Sequence, residues 1–319
     1  MVRSPRLIQI DQQDPRAVRA ELLRGLAAQP AATSPKYLYD ALGSRLFAAI
    51  TELDEYYLTR TEAAIFARHV GEIALHRPPA ATLVDLGAGN CEKAARLFVP
   101  FRVQRYVAVD ISADFLRHSL ALLQREHPAM DLLGVGLDFS SHLELPVEVG
   151  QEPRLLFYPG SSIGNFTPDQ ALDFLRQVHA GCRGGGLLIG VDLIKPVAVL
   201  EPAYDDPLQV TAAFNRNLLL HINHLTGTDF ALADWRHVAL YNTELSRIEM
   251  HLEARRALTV RWPGGEREFA AGERIHTENS YKWRADDFGA LLAHAGFSAI
   301  RRWSDERGWF AVFLAQATA

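Results

Sequence analysis

Residues Thr82 to Lys93 read TLVDLGAGNCEK, and the organisation of the chain follows from them. Leu83, Val84 and Leu86 form a short apolar run, the pattern of a buried strand, with Asp85 inside it. Gly87 and Gly89 follow in a loop, and glycine lets backbone turn tightly and come close to a ligand. About twenty residues on, Tyr106-Val-Ala-Val-Asp110 repeats the strand pattern and ends on a carboxylate. An acidic residue at that place can accept hydrogen bonds from both hydroxyls of a ribose. The pair points to a nucleoside ligand and leaves open which one.

A dinucleotide fingerprint needs a third glycine ahead of a helix that carries a pyrophosphate. Here Gly87-Ala-Gly89 runs into Asn-Cys-Glu-Lys-Ala instead. Two glycines and a charged turn suit a ligand without a pyrophosphate, such as S-adenosylmethionine (SAM), and the acidic Asp85 tolerates its ammonium and sulfonium. NAD(P), or an ordinary strand–helix turn with no ligand, stays open on this stretch alone.

Outward from this stretch, strand and helix patterns alternate. Ser112 is a good N-cap for a helix carrying Phe115, Leu116, Leu120 and Leu123. A short strand near 132–137 ends in Asp138-Phe139. The run Leu155–Tyr158 is a buried strand ending in Pro159-Gly-Ser-Ser-Ile-Gly-Asn165. Thr167-Pro168-x-Gln170 is a capping box with proline at the first helical position. Strands alternating with helices predict a parallel α/β sheet. Ahead of this block, residues 1 to about 35 read as a polar lead-in with one amphipathic helix (Val18, Leu22, Leu23, Leu26). Leu42, Leu46, Phe47 and Ile50 predict one buried helix face, with Tyr37, Tyr39, Tyr56 and Tyr57 around it. Thr59-x-x-Glu62 has the capping-box pattern before a further helix. The glycine loop itself predicts a helix through about Phe98.

After Lys195-Pro196 the alternation breaks. Residues 197–285 carry a polar helical stretch and two strand-like runs, Arg247–Glu253 and Leu258–Trp262, and read as an inserted second domain. From 286 a helix and an antiparallel strand hairpin complete the α/β part. The expected division is 61–196 with 286–319 as the nucleoside-binding domain, and 1–60 with 197–285 as the second domain.

The chain has 319 residues, 48% hydrophobic and 22% charged, which suits a globular protein with a full core. A net charge of −5 argues against a nucleic-acid footprint. Cys91 and Cys182 are too few for a disulfide framework. The first residues have no apolar signal core, and no run approaches the ~18 apolar residues of a membrane span. A reduced, cytoplasmic, monomeric protein without membrane contact is the expectation.

The strand ends of a doubly wound sheet carry its ligand. They supply Gly87, Gly89, Asp110, Asp138, Phe139 and the loop Gly160–Asn165. Asp138 with Phe139 suits an adenine edge and face, or a plain turn cap; Lys93 suits a carboxylate, or a helix face in water. Asn165 can donate to a carboxylate. Glu278 and Ser280, two apart, share a side of a strand and can grip a polar ring. His221-x-x-His224 lacks the third ligand and glutamate base of a zinc helix, so no metal is expected.

Taken together, PKYLYDALGSRLFAAITELDEYYLTRTE, LVDLGAGNCEK, GSSIGNFTP, AYDDPLQVTAAFNRN, RIEMHL and TENSYKW resemble the histidine-specific SAM-dependent methyltransferase family. The resemblance covers nearly the whole chain. It implies a Rossmann-like class I methyltransferase sheet with a second, substrate-binding domain. It also implies SAM-dependent Nα-trimethylation of L-histidine to hercynine, with S-adenosylhomocysteine as co-product, in ergothioneine biosynthesis. By that likeness Gly87, Lys93, Asp110, Asp138 and Phe139 contact SAM, and Gly89 joins them from the reading of the glycine loop. Asn165 and Tyr204 hold the substrate carboxylate, Glu278 and Ser280 the imidazole, with Tyr56 nearby and Asn279 between the pair. Tyr39, Phe47 and Gly160 line the α-amine, Met250 flanks the side-chain pocket, and Tyr39 is the candidate catalytic residue that orients the amine. The alternatives are another free amino acid, such as tryptophan, as acceptor, or a SAM-binding sensor without turnover.

Overall fold

The computed structural model describes residues 3–10, 14–140 and 142–317; Met1, Val2 and residues 11–13 of the polar lead-in lie outside them. In chain order the strands are β1 (Arg6–Gln9), β2 (Ala31–Ala32), β3 (Thr82–Leu86), β4 (Arg105–Asp110), β5 (Asp131–Gly136), β6 (Arg154–Tyr158) and β7 (Gly186–Asp192). They continue as β8 (Trp235–Asn242), β9 (Arg247–Ala254), β10 (Leu258–Trp262), β11 (Gly265–Phe269), β12 (Arg274–Tyr281), β13 (Phe297–Ser304) and β14 (Phe310–Ala317). The chain divides into two compact units: one takes β1, Leu58–Ile194 and the chain from Lys282 on, the other the segment up to Tyr57 and Lys195–Tyr281.

The first unit is built on an eight-stranded sheet in the order β1-β5-β4-β3-β6-β7-β14-β13. All neighbours pair in parallel except β14, which runs antiparallel to both β7 and β13. Every residue of β3, β6 and β7 is buried, which is why these strands read as mainly apolar runs, with Asp85 buried inside that of β3. Helices Ala113–Glu126, Pro168–Gly181 and Ala285–His294 bury Leu116 and Leu120, Phe174 and Leu175, and Phe288 and Leu292. The order reverses at β3, between β4 and β6, and ligands of such sheets bind beyond the strand ends at that switch. The terminal hairpin and the parallel sheet are as expected. β1 is not: a stretch that reads as polar lead-in adds an edge strand paired with β5, because Leu7 and Ile8 have neighbours only once the sheet exists.

The second unit carries a four-stranded sheet, β2-β12-β9-β8, and a separate hairpin, β10–β11. Helix Val210–Thr226 buries Phe214, Leu218, Leu219 and Ile222. Trp235 of β8 is fully buried between Phe230 and Phe269. Residues 235–281 form five strands where periodicity indicates two, since β8 and β12 mix polar and apolar residues on faces that are both partly covered.

Three local expectations change. Helix Tyr57–His76 begins before Thr59, so Thr59 and Glu62 are not a capping box there, whereas Thr167 and Gln170 form both reciprocal bonds of theirs. The helix after the glycine loop spans only Glu92–Ala95, and the chain then turns to Phe101. In helix Ala41–Ile50, Leu42 is 50% exposed and Gly43 takes the inner position, against the Leu38 carbonyl. Among the described residues no helix is long and apolar enough to cross a membrane.

Candidate active site

In the first unit the loop after β3 is tied to β4. Gly87 and Ala88 donate their amides to the Val109 carbonyl at 2.9 and 3.1 Å. Asp110, the last residue of β4, accepts from the Gly89 amide at 3.0 Å through one oxygen and from the Ser112 amide at 2.9 Å through the other. The carboxylate thus fixes the glycine loop and the start of the next helix. Each oxygen keeps a further lone pair for a ligand hydroxyl. Burial raises the Asp110 pKa, and the amide bonds oppose that rise. Gly87 and Gly89 have φ of +73° and +53°, which side chains rarely adopt. A Cβ on Gly89 would meet nothing within 4 Å, and the Phe139 ring lies 3.7 Å from where one on Gly87 would stand.

Asp85 lies beneath this loop. One of its oxygens accepts from the Tyr106 hydroxyl at 2.7 Å, and the other has no hydrogen-bond partner among the described residues. Complete burial pushes its pKa up to about 7, against the Tyr106 bond and the Lys93 charge. Asp138 accepts from the amide and hydroxyl of Ser140, so it serves as a turn cap as well as standing beside Phe139. Phe139 packs with Tyr158 and Phe174.

The loop Pro159–Asn165 is equally constrained. Gly160 and Ser161 take φ of +75° and +61°, and the Ser161 hydroxyl accepts from the Asp192 amide at 2.8 Å. Glu62, 1% exposed, joins this loop to the glycine loop's helix. One of its oxygens accepts from the Gly160 amide at 2.8 Å and the other from the Lys93 ammonium at 2.7 Å. Gly160 takes a φ that side chains rarely adopt, and a Cβ there would stand 3.1 Å from the Lys93 nitrogen.

The second unit gathers rings. Tyr39 lies edge-on to Phe47 (5.6 Å between centroids) and to Phe214 (5.5 Å). Phe47 meets Tyr56 at 6.1 Å, and Tyr56 meets Tyr204 at 6.1 Å. The hydroxyls of Tyr204 and Ser280 are 2.8 Å apart. On β12, Glu278 stands opposite Met250 of β9, on the side of the strand that Ser280 also takes. Tyr39, Phe47, Tyr56, Tyr204, Met250, Glu278 and Ser280 therefore form one connected group. Asn279 does not join it: it stands opposite Glu249 on the other side of the sheet, because side chains alternate along a strand. Tyr204 and Ser280, which the likeness assigns to opposite ends of an amino acid, touch each other.

A family model described as histidine-specific methyltransferase, SAM-dependent, matches residues 18–317. The chain belongs to this family. Among its relatives is the histidine N-alpha-methyltransferase of Mycolicibacterium smegmatis, 42% identical over 306 residues, 94% of each chain. The protein of the same name from Mycobacterium tuberculosis is 41% identical over 307 residues, again 94% of each. The ergothioneine biosynthesis protein 1 of Neurospora crassa is 31% identical over 277 residues, 84% of this chain and 31% of that longer one.

For a histidine-specific methyltransferase, several residues here carry no signal in the sequence. Glu62 carries no signal beyond its false resemblance to a helix cap. Phe214 lies inside AYDDPLQVTAAFNRN, and only the ring contacts with Tyr39 and Phe47 give it a part. Behind Tyr204, His237 donates from Nε2 to the Tyr204 carbonyl at 2.8 Å and accepts at Nδ1 from Asn215 at 2.9 Å. Burial lowers the His237 pKa, which keeps the ring neutral and able to do both. His221 donates to the Tyr37 carbonyl at 2.8 Å, an ordinary structural contact.

Proposed function

We propose that this protein transfers methyl groups from SAM to the α-amine of L-histidine, giving hercynine and S-adenosylhomocysteine, as a step of ergothioneine biosynthesis. The observation that carries the reading is the second unit's polar pair, Glu278 and Ser280, set beside Met250 and continuous with a wall of aromatic rings. An imidazole offers one donor and one acceptor, which a carboxylate and a hydroxyl complement. An indole has only a donor and would leave such a polar wall partly unmatched.

The first unit's donor set fits SAM. Asp110 suits ribose hydroxyls, Phe139 and Asp138 suit adenine, and Lys93 suits the methionine carboxylate. The short helix after Cys91, with no third glycine ahead of it, offers no pyrophosphate cradle. SAM supplies a methyl already activated by its sulfonium, so the protein's work is alignment of the attacking nitrogen. Asn165 holds the substrate carboxylate, and Tyr204, bonded to Ser280, reaches the ring end as well. Tyr39 orients the neutral amine, and Gly160 leaves it room. The faces of Tyr39 and Phe47 stabilise the growing fixed charge by cation–π attraction, about 0.5–2 kcal/mol each. The buried cysteines, Cys91 and Cys182, both unpaired, agree with a reducing compartment, and a cytoplasmic monomer is the form proposed.

Mass spectrometry of protein incubated with SAM and a panel of free amino acids tests the reading. Histidine gaining three methyl groups, and tryptophan few or none, is the expected result. Methylation of another amino acid in preference overturns the pocket assignment, and SAM binding without any methylation makes the protein a sensor.

A further inference from the structure

Strand β12 contains an extra residue just before the polar pair. Ile275 pairs with Leu252 and His276 with His251, but the next paired residue is Glu278, opposite Met250; Thr277 is passed over. This is a β-bulge, and a one-residue shift exchanges the two faces of a strand. Strict alternation from the buried Ile275 would put Thr277 and Asn279 on its side of the sheet. Glu278 and Ser280 would then share the opposite side with His276. In that register Glu278 would stand opposite Glu249, like charges facing across the ladder, which is destabilising. The bulge reverses this and brings Glu278 and Ser280 to the side of Met250 and Tyr204.

Two side chains hold the extra residue in place. The Thr277 hydroxyl, on a residue 1% exposed, donates to the Met250 carbonyl at 3.0 Å. His276 spans the bulge: its Nε2 lies 3.1 Å from the Glu278 carbonyl, and since a carbonyl only accepts, the nitrogen carries the proton. The His276 ring rests on His251 at 4.8 Å between centroids, and His251 in turn bonds Glu249 at 3.1 Å. His276 stands opposite His251, on the side of the sheet away from Met250.

We infer that His276 and Thr277 are positioning residues that set histidine specificity, by locking the bulge that aims Glu278 and Ser280. The inference rests on Glu278 and Ser280 binding the imidazole, and its test separates the two. The variants are His276→Ala, Thr277→Val and Thr277→Ser, each alone and combined with Glu278→Ala. Steady-state kinetics with histidine and calorimetry with SAM are the readouts. His276→Ala and Thr277→Val are expected to raise the histidine KM roughly threefold to tenfold, the effect of one lost hydrogen bond. SAM affinity stays as in the native protein, Thr277→Ser restores the native KM, and neither substitution adds to the KM of Glu278→Ala. Equal effects with and without Glu278 overturn the inference, because the residues then do not act through that side chain. So does an unchanged KM in both variants while Glu278→Ala raises it. An unchanged KM in Glu278→Ala itself overturns the pocket reading and the inference together. A variant that no longer binds SAM counts as misfolded, and Thr277→Val, nearly isosteric with threonine, then carries the test.

Discussion

At the residue scale, Glu62 ties two loops together. Its two oxygens hold the Lys93 ammonium and the Gly160 amide, one from each of the loops that close on the switch point of the sheet. The carboxylate is almost fully buried, so both bonds are made in a poorly solvated place, where charge-assisted hydrogen bonds are strong. Glu62→Ala should loosen both loops at once. The expected outcome is weaker SAM binding and a higher histidine KM together, each by roughly tenfold or more, the scale of a lost bond to a charged group. Glu62→Gln keeps an acceptor for the Gly160 amide and should recover part of the histidine KM but little of the SAM affinity. Titration calorimetry and initial rates decide it. A change confined to one ligand in Glu62→Ala would show that the residue serves only one loop.

At the element scale, β3 and β4 are joined below the glycine loop by the bond from Tyr106 to Asp85. Burial raises the Asp85 pKa from 3.8 to about 7, so the folded protein holds a proton that the unfolded chain has lost between those values. Stability from this group is complete below the unfolded pKa. It declines as pH rises toward about 7 and is flat above that. His251 acts in the opposite sense: burial lowers its pKa from 6.5 to about 4, so its contribution is lost as pH falls from 6.5 to about 4. Asp85→Asn isolates the first effect, because the amide oxygen still accepts from Tyr106 and carries no proton to lose. Denaturant unfolding of both proteins at about pH 5 and about pH 8 should show the native protein losing stability relative to the variant as pH rises. The same difference between the proteins at both pH values would refute the assignment.

At the scale of the whole molecule, the chain leaves the large sheet after β7 and returns to it after β12, and both passages meet at one ion pair. Lys282 and Asp192 are fully buried and 2.9 Å apart, and the Trp283 amide donates to the Asp192 carbonyl at 3.0 Å. Replacing one partner of such a pair strands a charge, at a cost of about 3–5 kcal/mol. Lys282→Met should therefore lower the unfolding free energy of the first unit by that amount. The double variant Lys282→Met with Asp192→Leu should recover much of it, since an apolar pair is often as stable as a buried ionic one. Chemical denaturation of the single and double variants measures both. A Lys282→Met protein as stable as the native one would show that the pair does not secure the return.

The large sheet was legible in the sequence because its strands are buried on both faces. An unbroken apolar run such as Leu155–Tyr158 has no other stable place. Asp110 and the two glycines were legible because a tight loop tied to the end of the next strand admits few residue types. The capping box at Thr167 was legible because both of its bonds are local, and the false one at Thr59 shows that the same pattern arises by chance inside a helix. β8 pairs with its hairpin neighbour β9 but mixes polar and apolar residues, whereas β1 and β12 depend on partners distant in the chain, and nothing local marks them. Glu62 was hidden for the same reason: its partners lie 31 and 98 residues away. So was the bulge, which contains neither glycine nor proline and inverts the alternation that a reader would extend from Ile275. The sequence alone determined the class of fold, the glycine and carboxylate strand ends proposed to hold SAM and the residue types proposed to hold the substrate. Which face of β12 those residues occupy was decided by tertiary structure, because the register of a strand is a property of its pairing and not of the strand itself.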